Sequence, residues 1–356
     1  MIAQTAEVRE QHRFDVGALE RYMREHVEGF VGPLTVQQFR GGQSNPTYYL
    51  TAGGKEYVLR RKPPGKLLPS AHAVDREYRV ITALGTTGFP VPRTYALCED
   101  PEVIGTAFYV MDCVHGRVIT DPKIPGLTPR ERGAIYDSLN ETLARLHTVD
   151  FQKLGLTDFG RSGSYFARQI HRWTQQYRAS ETEKIEAMER LIAWLPEHLP
   201  ADDETTLVHG DFRLGNTIIH PSEPRVAAVL DWELSTLGHP LADLAYNCLP
   251  YRFTPEWEGL ADRNLGELGI PTEQEYVAAY CRRTGRGGIP DWEFYLAFSM
   301  FRLSAIAQGI MGRVLAGTAS DPNARERGRR ARPLADSAWA LIAARDGGAA
   351  APVTLK

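Results

Sequence analysis

The hydrophobic repeat of this chain changes period near Thr128, and that change restricts it to an α+β architecture: a strand-rich amino-terminal part followed by a larger helical part. Upstream, residues 34–39, 47–51 and 55–61 read as strands, and Gly53-Gly54 between the last two is a linker suited to a tight hairpin. Gly41-Gly42-Gln43-Ser44-Asn45-Pro46 separates the first two. A charged helical stretch at 75–84, a turn at Gly88-Phe89-Pro90 and strands at 94–97 and 107–111 complete a small antiparallel sheet with one helix. Before the sheet, Leu19, Tyr22, Met23, His26, Val27 and Phe30 fall at helical spacing, and Gly32-Pro33 is expected to end that helix. Downstream, Thr128-Pro129-Arg130-Glu131 supplies the N-cap, N1 proline and N3 glutamate of a capping box, with Ile135, Leu139, Leu143 and Leu146 as the buried stripe. Helix then dominates, interrupted by short apolar strands at 206–208, 216–219 and 226–230, each leading into a polar loop.

Composition narrows the function. The 356 residues are 43% hydrophobic and 24% charged, enough apolar material for one or two cores. Lys+Arg 41 against Asp+Glu 44 gives a net charge of -3, so no global basic field exists to grip a nucleic acid. Cys98, Cys113, Cys248 and Cys281 lie far apart without a C-x-x-C pair, which suggests neither a disulfide framework nor a thiolate zinc site and fits a reducing compartment. Residues 1–14 carry Glu7, Arg9, Glu10 and Arg13 with no apolar segment, and no unbroken apolar run approaches the roughly 20 residues of a membrane helix. The expectation is a cytoplasmic protein without membrane contact, with the Gly/Ala-rich stretch after Asp346 as a frayed tail.

The densest polar cluster is His209-Gly210-Asp211-Phe212-Arg213-Leu214-Gly215-Asn216, between two apolar strands, with Asp231-Trp232-Glu233 directly after a third. In a compact loop Asp211 can face an acceptor hydroxyl while the amide oxygen of Asn216 reaches a cation that Asp231 completes. An oxygen-only set suits Mg²⁺, which usually fills its octahedron with phosphate oxygens, so a nucleotide is implied. The amino-terminal part offers it a place. Gly41, Gly42 and Ser44 can bring backbone N–H groups and a hydroxyl to phosphates. Strand alternation puts Val58 and Arg60 on one face, the cation over the phosphates and Val58 against a flat base. Glu77 is the carboxylate to hold Arg60, and Met111-Asp112-Cys113-Val114 ends a strand with backbone groups suited to an adenine edge.

In this order, glycine loop, strand cation, helix glutamate, hinge, Asp-x-x-x-x-Asn loop and Asp-led strand end, the chain resembles the aminoglycoside phosphotransferase and choline kinase superfamily, small-molecule relatives of protein kinases, over about residues 39–246. Closer still, the runs 41–47, 58–65, 209–216 and 230–246 resemble the kinase-like domain fused to some acyl-CoA dehydrogenases. The resemblance implies a bilobal protein-kinase-like fold, with a nucleotide-binding N-lobe at 1–113 and a mainly helical C-lobe at 114–356. It implies ATP and Mg²⁺ as cofactors and a small-molecule hydroxyl acceptor, possibly a hydroxyacyl-CoA. Asp211 then orients the hydroxyl and takes its proton, Asn216 and Asp231 hold Mg²⁺ with Glu233 in support, Arg60 clamps phosphate with Glu77 as its partner, and Met111, Asp112 and Val114 contact adenine. Arginine stands where lysine is common in the superfamily, and Lys62 is the backup cation. Alternatives are an aminoglycoside- or choline-type kinase, a nucleotide-binding regulator without turnover, or a metallohydrolase using His209, Asp211, His220 and Asp231.

Plainer readings stand beside these. Asp158-Phe159-Gly160 spells a kinase metal tripeptide but precedes the 209–216 loop, so a turn or helix cap is expected of Asp158. His209 is expected to brace its loop, His147 to end a helix and Asp243 to cap the residues after it. Arg325, Arg327, Arg329, Arg330 and Arg332 read as a solvated face, or as a contact for coenzyme A phosphates. Trp173, Tyr177, Trp194, Trp292 and Tyr295 read chiefly as core.

Overall fold

The computed structural model describes residues 5–40, 45–65, 72–319 and 321–346. In chain order the strands are β1 (Thr5–Ala6), β2 (Thr35–Phe39), β3 (Thr47–Ala52), β4 (Lys55–Arg61), β5 (Thr94–Cys98), β6 (Phe108–Asp112), β7 (Arg117–Val118), β8 (Thr206–Val208), β9 (Thr217–Ile219), β10 (Val226–Val229) and β11 (Thr236–Gly238). The helices are α1 (Val16–His26), α2 (Val74–Gly85), α3 (Pro101–Ile104), α4 (Pro129–His147), α5 (Tyr165–Ala179), α6 (Glu186–Glu197), α7 (Pro240–Cys248), α8 (Leu265–Leu268), α9 (Glu273–Thr284), α10 (Trp292–Leu315), α11 (Ala324–Arg329) and α12 (Ala331–Asp346). Two compact units result. One joins Met1–Thr120 to Asp150–Phe159 and Leu214–Ser235, and the other joins Asp121–Val149, Gly160–Arg213 and Thr236–Lys356.

In the first unit six strands run in the order β1-β2-β3-β4-β6-β5, all pairings antiparallel. The β3–β4 turn is Gly53-Gly54, both at positive φ (56° and 76°), the left-handed conformation that two-residue hairpins require and that glycine adopts without penalty. Alternation then sorts the two faces of the sheet. Tyr48, Leu50, Tyr57, Leu59, Phe108 and Val110 pack with Leu19 and Met23 of α1 into one core. Tyr49, Val58, Arg60, Tyr109 and Met111 alternate with them and occupy the other face, where Val58 pairs with Met111 and Arg60 with Tyr109 across β4 and β6. A second antiparallel sheet, β10-β9-β7, belongs to the same unit.

α1 ends at His26, earlier than the expected stop at Gly32-Pro33. Val27 closes it by donating its N–H to Met23 O (2.9 Å), and Gly29 at φ 68° turns the chain. Val27 and Phe30 still reach the core, from the turn rather than from the helix. The two-residue strands β1 and β7 and the short β11 and α3 were not expected, because such lengths carry no readable period.

The second unit is helical around α10, with β8 and β11 as its two-stranded sheet. The expected capping box is present at the start of α4: Glu131 N–H donates to the Thr128 hydroxyl (3.3 Å), and Thr128 N–H donates to the Glu131 carboxylate (2.8 Å). α10 has 24 residues and is, by length and composition, apolar enough to cross a membrane. Arg302 and Gln308 interrupt its apolar run, so the sequence reading passed over it. In the structure 78% of its most apolar window is buried, and α5, α6, α7, α11 and α12 pack against it as around a core helix. Trp173, Tyr177, Trp194 and Tyr295 are buried in this unit, and Trp292 is half-buried with its indole N–H on Glu273 (2.8 Å). All four cysteines are free.

Thr128→Ala removes one half of a two-way cap at an exposed helix start. The expected loss is about 1 kcal/mol in chemical denaturation, with Thr128→Ser close to the parent.

Candidate active site

The first unit holds a cavity of about 260 Å³ on the polar-bearing face of its large sheet. Val58, Met111, Ile81, Ile218 and Val229 form apolar walls, Asp112, Cys113 and Val114 form a rim, and Arg60 and Asp231 line the polar part. Arg60 is the convergence point. Its Nε is 2.8 Å from Glu77 Oε2, its Nη2 is 2.7 Å from Asp231 Oδ1, and Glu233 Oε2 lies 3.6 Å from Nη2. β4 and α2 each contribute one member of this group, and the residues after β10 contribute two.

Glu77 is buried and multiply held. Asn45 Nδ2 donates to Oε1 (2.8 Å) and the Tyr109 hydroxyl donates to Oε2 (3.1 Å). Burial pushes its carboxyl up to about 7, against the pull of Arg60, and the nearby Asp231 and Glu233 charges add to the rise. Burial disfavours the charge on Arg60 too, but Glu77, Tyr109, Asp231 and Glu233 together hold its pKa above the usual value, so the guanidinium stays cationic. Asn45, in the expected phosphate loop, braces Glu77 with its side chain and meets His72 Nδ1 (2.9 Å). Gly41, Gly42 and Ser44, the other loop candidates, lie outside the described residues.

Asp231 is positioned by its backbone. It sits in the left-handed region (φ 64°, ψ 58°), unusual for a residue with a side chain, at the step from β10 into the tight turn Trp232–Leu234. Buried Trp232 anchors the turn by donating its indole N–H to Val229 O (3.0 Å). Thr217 pairs with Val229, and Leu230 N–H donates to Asn216 O (2.9 Å), so the hairpin of β9 and β10 brings buried Asn216 beside the Asp231 turn. Amide oxygen and carboxylate oxygens are the hard donors that Mg²⁺ takes, and a partly exposed Asp231 leaves room for waters and phosphate. The donor set fits that ion. At the hinge, Asp112 N–H donates to Arg93 O (2.8 Å), so this amide is committed to the sheet.

Asp211 belongs to the second unit, where residues 209–213 follow β8. The loop is held by its main chain. Buried Asp243 accepts from His209 N–H (2.6 Å) and Gly210 N–H (2.8 Å), and His147 Nε2 approaches it at 3.4 Å. The Tyr280 hydroxyl and His147 Nδ1 share a hydrogen bond (2.7 Å). Burial alone would raise the Asp243 carboxyl, but the hydrogen bonds from His147 and from the His209 N–H hold it below the usual carboxylate range. Arg302 Nη2 donates to Gly210 O (2.7 Å), with its guanidinium 5.5 Å from the Trp173 ring and 5.4 Å from that of Tyr246. His209 braces the loop as expected, accepting Asp211 N–H on Nδ1 (3.2 Å). Asp211 meets Arg213 Nε at 3.4 Å and interacts with Tyr246, whose hydroxyl is pushed up by burial and then by the Asp211 charge. Asp243 thus ties down the loop rather than capping the residues after it. Tyr246 and Arg302 were not singled out, because partners that far apart in sequence leave no local pattern.

Asp158 lies in a turn, as expected. It ion-pairs with Arg79, while Phe159 is buried beneath the Arg76 guanidinium at 4.2 Å. Lys62 lies beyond the end of β4 and reaches Asp75 (3.6 Å). In the arginine-rich stretch Arg327 pairs with Asp321, Arg330 with Glu326 and Arg332 with Glu183, while Arg325 and Arg329 are exposed.

Comparison with known proteins agrees with this layout. Residues 35–297 match the family described as Phosphotransferase enzyme family. Mouse acyl-CoA dehydrogenase family member 10 is 49% identical over 342 residues, covering 95% of this chain and 32% of that protein. Human acyl-CoA dehydrogenase family member 11 is 47% identical, covering 94% of this chain and 44% of that protein, so the chain spans less than half the length of these relatives. Among solved structures, a candidate aminoglycoside phosphotransferase from Ralstonia eutropha is 54% identical with a TM-score of 0.87, covering 93% of this chain and 99% of that one. Aminoglycoside phosphotransferase APH(4)-Ia, solved with AMP-PNP and hygromycin B, shares the fold at 18% identity and a TM-score of 0.60, over 92% of this chain and 99% of that one. With its antiparallel sheet, its helical unit and a family match across most of its length, this chain belongs to the phosphotransferase enzyme family, as a small-molecule kinase built on the protein-kinase-like fold.

Proposed function

We propose that the chain transfers the γ-phosphoryl group of ATP, bound with Mg²⁺, to a hydroxyl of a small molecule in a reducing, cytoplasmic setting, and that a hydroxyacyl-CoA is the first acceptor to test. The observation that carries the reading is Arg60, a cation shared by a buried helix carboxylate and the strand-end Asp231 in the polar part of an otherwise apolar cavity. The base lies between Val58 and the Met111 to Val114 rim. Arg60, fixed at Nε by Glu77, presents Nη2 to phosphate oxygens, and its planar fork can bind them bidentately. Asn216 and Asp231, with Glu233, hold the Mg²⁺. The ion supplies positive charge on the phosphate oxygens as charge builds there.

Asp211 orients the acceptor hydroxyl and accepts its proton as the oxygen–phosphorus bond forms and the bond to the ADP oxygen breaks. The transition state of such transfers is loose, so alignment and cations supply most of the rate and the base a smaller share. The acyl-CoA choice rests on the relatives, which are named acyl-CoA dehydrogenase family members and extend well beyond the length matched here. Exposed Arg325 and Arg329 suit the phosphates of such an acceptor.

A panel of hydroxylated metabolites, including hydroxyacyl-CoAs and aminoglycosides, is to be incubated with ATP and Mg²⁺ and read by intact mass. One added phosphate on an acceptor is expected, and ATP binding without any phosphorylated product supports the regulator instead. Asp231→Ala is expected to be nearly inactive. Asp211→Ala should lose about 10²–10⁴-fold in kcat with nucleotide binding largely kept, and turnover at the parent rate refutes its role. Arg60→Ala leaves buried Glu77 without its cation and should lower stability by about 3–5 kcal/mol, read by denaturation beside Arg60→Lys, which keeps the charge.

A further inference from the structure

We propose that Glu56, Cys113 and His115 form a binding site for a zinc-class divalent metal at the rim of the first unit's cavity. Each offers one donor atom, and these atoms lie within 4.8 Å of one another. The sheet register produces the cluster. Tyr57 of β4 pairs with Asp112 of β6, so one step outward Glu56 faces Cys113, and His115 follows two residues later. Alternation puts Glu56 on the face that carries Val58 and Arg60, and Cys113 itself lines the cavity. No linear motif announces such a site, since Glu56 sits on β4 while Cys113 and His115 follow β6.

The carboxylate is already oriented. The Tyr49 hydroxyl donates to Glu56 Oε1, the kind of outer support that fixes a metal ligand, and His115 Nε2 meets Oε2, so two of the donors already face each other. Zinc bonds of about 2.0–2.3 Å set neighbouring tetrahedral donors roughly 3.3–3.8 Å apart, so donors already within 4.8 Å of one another need to shift by no more than about 1.5 Å. Side-chain rotation can supply that, since Glu56 and His115 are partly exposed. Thiolate and imidazole favour zinc over magnesium, which distinguishes this site from the oxygen donors Asn216 and Asp231. Burial, with Glu56 and Asp112 adding to it, pushes the Cys113 thiol up to about 11. On binding, a sulfur–metal bond replaces S–H, the proton passes to solvent, no electron is transferred, and water fills the fourth position.

An occupied site ties β4 to the chain leaving β6, two register steps from Val58 and Met111. The inference does not depend on the nucleotide reading, and its test uses neither nucleotide nor magnesium. The full chain, stripped with chelator, is titrated with Co²⁺. A thiolate-to-cobalt charge-transfer band saturating at about one equivalent is expected, and Zn²⁺ should abolish it. Cys113→Ser should lose the band, His115→Ala should weaken cobalt binding by about tenfold or more, and Cys281→Ser should leave both unchanged. As a check needing no variant, Zn²⁺ should slow alkylation of Cys113 by about tenfold, located by peptide mass. Absence of a band, a band that survives Cys113→Ser, or alkylation unaffected by Zn²⁺ overturns the site.

Discussion

A guanidinium withdrawn from water and shared by two carboxylates organises the first unit. Arg60 is only 12% exposed, and a charge so placed is tolerated because Glu77 and Asp231 lie within 2.8 Å of it. Each partner comes from a different element, so the contact fixes helix α2 and the turn after β10 against strand β4. Glu77 in turn needs Asn45 and Tyr109, and the network reaches back toward the segment before β3. Removing Arg60 or Glu77 leaves the other's buried charge uncompensated, and removing Asn45 or Tyr109 takes a hydrogen bond from Glu77.

Much of this was legible because it follows from period. Alternation along 58–60 places Val58 and Arg60 on one face whatever the rest of the fold does, and the apolar strands at 206–208 and 226–230 deliver their polar ends wherever they pair. What stayed hidden depends on tertiary meeting. Asp243 looks like an ordinary helix residue until the structure shows its carboxylate receiving two amides from a loop more than thirty positions away. Cys113 looks isolated until β4 brings Glu56 opposite it. α10 looks like broken apolar sequence until Arg302 is seen turned to the Gly210 carbonyl, its guanidinium hydrogen-bonded inside the core.

Asp211 and Asp231 are presented by different devices. For Asp211 the main chain of the loop is clamped from outside, by Asp243 on the amides and Arg302 on a carbonyl. For Asp231 the backbone itself is bent into the left-handed region and locked by Trp232. In neither case does the carboxylate's own bonding create the loop, so its chemistry can be set by what binds there.

The first unit is assembled from three separate stretches of chain, and Arg117 of β7 finds its partner only at Ile219. During synthesis the large sheet emerges well before the ribosome has made β9, β10 and Asp231. Until then the wall formed by Ile218 and Val229 is missing and Arg60 lacks one of its acids. A nascent chain at that stage carries an exposed apolar hollow and an unsatisfied cation, the state in which a chaperone or an aggregation partner finds purchase.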